Sequence, residues 1–384
     1  MLSGVNVALG VTGSIAAVKV VELAHELRRH GAEVRAVTSE SASSIVHPWA
    51  IEFATDNPVV TEITGQVEHV ELCGRNGWAD VFLIAPATAN TVGKMAAAID
   101  DTPVTTCATT AFGADVPIVV APAMHEPMYD HPGVLDSIET LEEWGVGFVD
   151  PRVEEGKAKI ATEEAIVLDT ARAVGDRPLA GKRVVVTSGA TSEPLDPVRV
   201  LTNRSSGRMG RAVAKACYVR GGDVTLVHDG PDVPYADVRQ VQRAAEMRDA
   251  ALDAASTADA LISAAAISDF TVEPAEEKIR SGESLTLDMW PTPKLIDSIR
   301  EAHPDLVMVG FKAETSGDDD AMVAEARRIQ DRVGLSFVVA NDASVMGADE
   351  TRALLVRAEE YSEFVGSKQD LGLEVAAQLA SELD

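Results

Sequence analysis

Residues 81–98 read VFLIAPATANTVGKMAAA, and the reading of this stretch decides the architecture. Residues 81–85 are an apolar run of strand length. Residues 86–91 form a turn of small and hydroxylic residues, and 92–98 resume with helix formers. A buried strand that ends in a hydroxyl-rich turn and feeds a helix N-terminus is the usual ligand end of an α/β sheet. The turn offers backbone N–H groups, hydroxyls and an amide within a small space, which suits a phosphate or a flavin edge. A well-capped βα loop without a ligand would share the same pattern. The histidine upstream, His69 in VEHVELCGRNGWAD, tips the balance toward a site.

The length of 384 residues suggests two domains. Hydrophobic content of 46% is ample for buried cores, and the low aromatic share of 4%, with Ala and Val dominant, suits strands covered on both faces by helices. The formal net charge is −28, from 61 acidic and 33 basic residues, which excludes nucleic acid as a partner because its phosphates would be repelled. The acidic residues are dispersed rather than gathered in a tail, the solubility device of a protein working in high salt. Cys73, Cys107 and Cys217 have unrelated spacings, so neither a disulfide framework nor a metal site is expected. The start, MLSGVNVALG, enters a strand without a basic region, and no apolar run reaches membrane-spanning length. A cytoplasmic protein is expected.

Working outward, residues 5–9 read as a strand, 10–14 as a tight turn, 15–30 as a helix closed by Gly31, and 34–38 as the next strand. This is a βαβ unit whose small-residue turn could cradle a phosphate. Its glycines do not follow G-x-G-x-x-G, so a mononucleotide is favoured over a dinucleotide. Residues 117–121 form another strand, leading into PAMHEPM, and residues 100–106 form a further hydroxyl-rich loop. Loops of one character at several strand ends imply one site there.

GVTGSIAA, the histidine of EHVEL, APATANT and PAMHEPM together resemble the flavin-dependent cysteine decarboxylases. The match is best to the decarboxylase half of the bifunctional phosphopantothenoylcysteine decarboxylase/phosphopantothenate–cysteine ligases. The resemblance implies FMN held by Gly13, Ser14, Ser39, Thr88, Ala89, Asn90 and Thr106, with His69 as the catalytic histidine. Met124 and His125 fall on the family's substrate-binding motif, where His125 replaces the usual Asn. The family also carries a proton-donating Cys on a flap over the substrate. The corresponding region, residues 149–160, contains no Cys. The acid is expected instead among Lys157, Lys159 and Asp150, in that order of preference. An FMN site between subunits, as in the family, implies a homo-oligomer.

The Pro- and Gly-punctuated run at 176–182 marks a boundary near residue 180, giving domains 1–178 and 179–384. Residues 183–187 read as a strand. The loop SEPLDPVRVLTNRSSGRMG then looks too rich in Pro and Gly to be regular, and long loops inside βαβ units are usually functional. A helix over 208–220 and a strand over 223–227 follow. Strands at 260–265, 306–310 and 337–340 end in AAAISDF, FKAET and AND. Two Arg, two Ser and a Gly at a helix N-terminus suit anions.

This half resembles the ligase part of the same enzymes. The resemblance implies a CTP site at Ser263, Ala264, Ala265, Asp269, Lys278, Pro293, Lys294, Leu295, Ile296 and Phe311. Asn203 and Asn341 match positions around the substrate phosphate and acyl-cytidylate, with Lys278 neutralising the triphosphate and Mg²⁺ assisting through ligands that the sequence does not assign. Arg328 or Arg332 would replace further family lysines. The implied fold is two Rossmann-like three-layer α/β domains, one binding FMN and one CTP. A nicotinamide oxidoreductase is the competing enzyme reading, since both halves are Rossmann-like. A flavin-binding regulatory protein competes from another class, on the strength of the missing flap Cys.

Overall fold

The computed structural model describes residues 1–154, 157–280, 282, 284–314, 318–342 and 350–383. The chain divides into two compact units, Met1–Gly175 and Asp176–Asp384.

In the first unit, β1 (Asn6–Val11) runs into a 3-10 turn at Ile15–Lys19 and then α1 (Val20–Arg29). The helix expected from residue 15 starts later because Ile15 and Val18 face solvent; the core face is Val20, Leu23, Ala24 and Leu27. The chain continues through β2 (Glu33–Thr38), α2 (Glu40–Ser43), α3 (Pro48–Thr55) and α4 (Glu68–Cys73). Then comes β3 (Val81–Ala87), every residue of it buried, directly followed by α5 (Ala89–Ala96). The turn expected over 86–91 is thus reduced to Thr88. Its hydroxyl accepts the Thr91 N–H at 3.2 Å, which caps the helix and lets it begin at once.

Next are α6 (Pro103–Gly113), β4 (Ile118–Pro122), β5 (Met124–His125), α7 (Glu126–Tyr129), α8 (Pro132–Glu143) and β6 (Gly147–Phe148). The unit ends with β7 (Arg152–Glu154), β8 (Lys157–Lys159) and α9 (Glu163–Val174). A parallel sheet in the order β2-β1-β3-β4-β6 forms the middle layer. On one side of it, Phe82, Ile84 and Val120 pack with Val92, Val104, Cys107 and Leu141. Strand β8 pairs with both β5 and β7, making a small antiparallel sheet beside the main one.

The second unit opens with β9 (Arg183–Thr187). The stretch expected to be irregular holds a hairpin, β10 (Ser192–Pro194) and β11 (Val200–Thr202), because buried side chains described below fix its turn. After it come α10 (Arg208–Val219), β12 (Asp223–His228), β13 (Asp237–Gln240), α11 (Ala244–Ala255) and β14 (Ala260–Ser263). A two-residue ladder of β15 (Phe270–Thr271) with β16 (Trp290–Pro291) precedes α12 (Leu295–Ala302). The chain then forms β17 (Val307–Glu314), α13 (Asp319–Val333) and β18 (Phe337–Asp342). It closes with β19 (Glu350–Val356), β20 (Tyr361–Ser367) and α14 (Lys368–Leu383).

The sheet order is β13-β12-β9-β14-β17-β18-β19-β20, parallel as far as β18 and antiparallel at the last two strands. Both units are α/β with Rossmann-like parallel sheets. No helix among the described residues is long and apolar enough to cross a membrane.

Candidate functional site

In the first unit the loops after four strands are tied to one another. Thr12, just past β1, donates from its hydroxyl to Pro86 O at 2.8 Å, and Thr12 Oγ1 in turn accepts the Thr88 N–H at 3.3 Å. Ser14 Oγ donates to Ala123 O at 3.1 Å, and Ala123 N–H donates to Ala87 O at 2.9 Å. Ser39, past β2, donates its N–H to Val11 O at 3.1 Å and caps α2 by accepting the Ala42 N–H. A side chain at Gly13 would put its Cβ 2.4 Å from Ser41 Oγ, so only glycine lets the first loop approach the second.

Gly13, Ser14, Ser39, Thr88 and Ala89 thus line one edge of the sheet, joined by Met124 and His125 after β4. Asn90 is exposed in the first turn of α5. Thr106 lies in the first turn of α6, with its hydroxyl against Asp100 O and Thr102 O at 3.0 and 2.9 Å.

His69 enters by another route. It sits in the first turn of a helix rather than on a strand, one turn before Cys73, which is buried against Cys107 of α6. The Thr64 hydroxyl donates to Glu68 and its N–H does so at 2.8 Å, closing the turn that starts α4; the hydroxyl first and then the N–H hold the Glu68 carboxyl below its ordinary range. The half-buried His69 ring keeps Nδ1 covered, with no hydrogen-bond partner among the described residues.

The expected flap is the β7–β8 hairpin. Its backbone register sets Lys157 opposite His125 and Ala158 opposite Met124, so the hairpin and the segment after β4 share one sheet. The Lys157 side chain lies outside the described residues. Lys159 is half-buried, and Asp150 is exposed at the hairpin's base. Burial, and after it the Asp150 carboxylate, raises the Tyr129 phenol on α7.

In the second unit, the turn after β9 meets the loop after β14. Ala265 N–H donates to Thr187 Oγ1 at 3.3 Å, Ala266 N–H to Gly189 O at 2.8 Å, and Ser268 N–H to Thr191 Oγ1 at 2.8 Å. Asn203 Nδ2 donates to Ala266 O at 2.7 Å, bringing the loop after β11 to the same place. Thr292 clips the next segment on: its N–H donates to Asp269 O at 2.9 Å and its hydroxyl to Ser268 O at 2.5 Å. That brings the segment of Pro293, Lys294, Leu295 and Ile296 to the end of the loop after β14, where Lys294 Nζ pairs with Asp269 at 2.5 Å.

Phe311 does not follow its strand but lies within β17, one residue past the end of β14. Asn341 pairs with Ala313 near the ends of β18 and β17, and its Oδ1 is buried without a hydrogen-bond partner among the described residues. Gly207, with φ of +67°, begins α10 so close to Gly189 that a Cβ would lie 2.8 Å from its Cα. Lys278 is exposed on a loop whose backbone is held at Ile279. Arg328 and Arg332 are engaged elsewhere, with Glu325 at 2.7 Å and Asp297 at 2.6 Å. The last turn of α13 delivers the chain to the start of β18, the edge opposite the strand ends, so Arg332 does not join the site.

Sequence reasoning missed Thr12, Thr292 and the buried carboxylates Glu193 and Asp196. It also missed His228, at the end of β12, whose ring is buried with Nδ1 unpartnered among the described residues. Only Asp196 left a trace, as the Asp-Pro of a turn.

Residues 1–175 match the family described as Flavoprotein. Residues 179–383 match that described as DNA/pantothenate metabolism flavoprotein C-terminal domain. The chain is 50% identical over 362 residues to the coenzyme A biosynthesis bifunctional protein CoaBC of Thermococcus kodakarensis, covering 92% of this chain and 89% of that one. The chain belongs to the family of bifunctional coenzyme A biosynthesis proteins. The member from Methanocaldococcus jannaschii is 37% identical, covering 97% of this chain and 92% of its own, and that from Bacillus subtilis 35%, covering 91% and 88%. As a member of the family, the chain is a phosphopantothenate–cysteine ligase and a phosphopantothenoylcysteine decarboxylase. Its cofactor is FMN and CTP is a co-substrate. Membership sets aside the nicotinamide and purely regulatory readings.

Proposed function

We propose that decarboxylation belongs to residues 1–178 and ligation to 179–384, with the side chains at each unit's strand ends carrying the chemistry. The observation behind this is that each unit builds its own closed ring of strand-end loops. The close approach of Gly13 to Ser41 and the unpartnered His69 Nδ1 suit a flat, anionic ligand against the first ring. FMN, when bound, supplies a two-electron sink at the thiol-bearing carbon, so that the carbanion left by CO₂ is held as an enethiolate. Gly13, Ser14, Ser39, Thr88, Ala89, Asn90 and Thr106 would hold it. His69 Nδ1 holds a proton beside the reacting cysteine portion, while Met124 and His125 orient the substrate. The two electrons taken up would return to the enethiolate, and the proton that accompanies them to carbon comes from the flap, with Lys157 first, then Lys159 and Asp150.

In the second unit the carboxylate of 4′-phosphopantothenate attacks the α-phosphate of CTP and expels pyrophosphate, and the amine of cysteine then displaces CMP from the acyl-cytidylate. Such chemistry is mostly positioning and charge neutralisation. Lys278 neutralises the triphosphate with Mg²⁺. Asn203 and Asn341 hold the substrate, and Ser263, Ala264, Ala265, Asp269, Pro293, Lys294, Leu295, Ile296 and Phe311 hold the nucleotide. The Asp269–Lys294 pair must open or rotate to admit it.

Ile15, Val18, Trp49 and Phe53 are 79, 58, 75 and 78% exposed, an apolar set that a second copy of the chain would cover. The enzyme works in the cytoplasm as a homo-oligomer. Paired variants test the assignment. Lys278→Ala should lose CMP release but bind FMN, and His69→Asn should keep FMN and CMP release but evolve no CO₂. Equal effects of each change on both reactions would place the sites in the wrong halves.

A further inference from the structure

The hairpin β10–β11 carries a carboxylate that the two half-reactions leave without a role. Asp196, at its tip, has a side chain at 0% exposure. Oδ1 accepts the N–H groups of Val198 and Arg199, both at 2.8 Å. Oδ2 accepts Arg199 Nη1 at 2.7 Å and the Ile279 N–H at 3.1 Å. The same Nη1 donates onward to Ile279 O at 2.8 Å. Nearby, Ala275 N–H donates to Leu195 O at 2.9 Å. The hairpin tip therefore grips both polar groups of the residue that follows Lys278, and the chain three residues ahead of it. Glu193, one strand back, extends the frame by accepting the Ala244 N–H and the Thr271 hydroxyl, both at 2.8 Å.

Asp196 is buried while the Arg199 side chain is 42% exposed, so it is chiefly the carboxylate that is desolvated; its converging donors offset that cost and fix one geometry. Burial alone would raise the Asp196 carboxyl. The N–H donors of Val198, Ile279 and Arg199, with the Arg199 charge, outweigh it and hold the group below its ordinary range. The exposed Lys278 has a long, mobile stem, so its reach is set by where its backbone is fixed, and the hairpin fixes it. The same hairpin ends at Asn203, bonded to Ala266 O, so one element registers both residues against the loop after β14.

We infer that Asp196 and Arg199 are positioning residues for ligation, clamping Ile279 so that the Lys278 ammonium meets the nucleotide's triphosphate. This rests on the reading of Lys278 as the triphosphate-neutralising lysine. Asp196→Asn leaves one acceptor oxygen where four donors converge, and turns an amide N–H₂ toward the Arg199 guanidinium or the Ile279 N–H. Misplacement of a catalytic group by an ångström can cost about 100-fold in rate.

The test is a double-mutant cycle in the full chain, following CMP release with saturating Mg²⁺. CO₂ release from supplied 4′-phosphopantothenoylcysteine serves as the folding control. Asp196→Asn should lower kcat for CMP release on the order of 100-fold, with KM for cysteine unchanged. In a Lys278→Ala background it should lower kcat no further, because groups acting as one unit are not additive. Arg199→Lys, which keeps the charge but not the fork, should give a smaller loss in the same parameter. An Asp196→Asn penalty of equal size with and without Lys278 overturns the clamp while leaving the site assignment standing. A Lys278→Ala chain that ligates at the wild-type rate overturns the site assignment and the clamp with it.

Discussion

Gly13→Ala puts the flavin assignment to a quantitative test. The added Cβ would lie 2.4 Å from Ser41 Oγ, 2.5 Å from Ser41 Cβ and 3.2 Å from its carbonyl carbon. Rotating the hydroxyl away removes only the first contact, so the turn from Ser39 into α2 must move. Ser39 caps that turn and donates to Val11, so the displacement spreads to the edge proposed to hold the flavin. Overpacking of this kind costs about 1–3 kcal/mol. The free protein relaxes outward, and binding must push the turn back, so the dissociation constant for FMN should rise roughly 5- to 150-fold. Flavin fluorescence quenching measures it directly, and CMP release by the same chain reports that the protein is folded. Adding Ser41→Gly removes both closest contacts and should recover most of the affinity. Unchanged FMN affinity in Gly13→Ala, or no recovery in the double variant, would refute the reasoning.

Three further outcomes are expected. A fragment ending near Asp176 should bind FMN and one starting near Leu179 should release CMP without flavin; failure of both to fold in high salt would contradict the division of labour. With a net charge of −28, self-repulsion is screened by salt, so the thermal midpoint should rise with KCl to molar levels, and a flat dependence would remove the high-salt reading. Cys73, Cys107 and Cys217 are all buried, and burial pushes the Cys217 thiol from 9.0 to about 12. The Cys107 thiol, then burial, raises Cys73 as well. A chain with all three changed to Ala should therefore still make 4′-phosphopantetheine, while a variant that stalls after CO₂ loss would make a thiol the proton donor. Because the folded Cys217 pKa is raised, its contribution to stability is intact below pH 9.0 and is lost as pH climbs toward about 12; Cys217→Ala should flatten that alkaline decline.

The parallel frame was legible because its signals are local. Residues 183–187 coincide with β9, and the run VFLIA is buried throughout, as its composition implies, with the strand running two residues further. The site loops were legible for the same reason, since hydroxylic residues at strand ends announce themselves. What escaped depends on contacts distant in sequence. The hairpin at 192–202 looked irregular because its turn is fixed by Asp196 and Arg199 reaching Ile279. The segment of His69 reads as an acidic strand but is helical: α4 is six residues long, starts after Val67 at positive φ, and is held by packing on α6. Thr12 and Thr292 are single hydroxyls whose importance lies wholly in the backbone they meet. Strand β13 has a polar, largely exposed face, so nothing in its composition separates it from a loop.

The central claim is that one chain carries both half-reactions in separate sites. Purified protein with FMN, Mg²⁺, 4′-phosphopantothenate, cysteine and CTP, with CMP and CO₂ followed separately, tests it most directly. The account predicts CMP and CO₂ in equal amounts, both abolished when CTP is left out. It also predicts CO₂ without CTP when 4′-phosphopantothenoylcysteine is supplied. CMP release with no CO₂ from that supplied intermediate would contradict it.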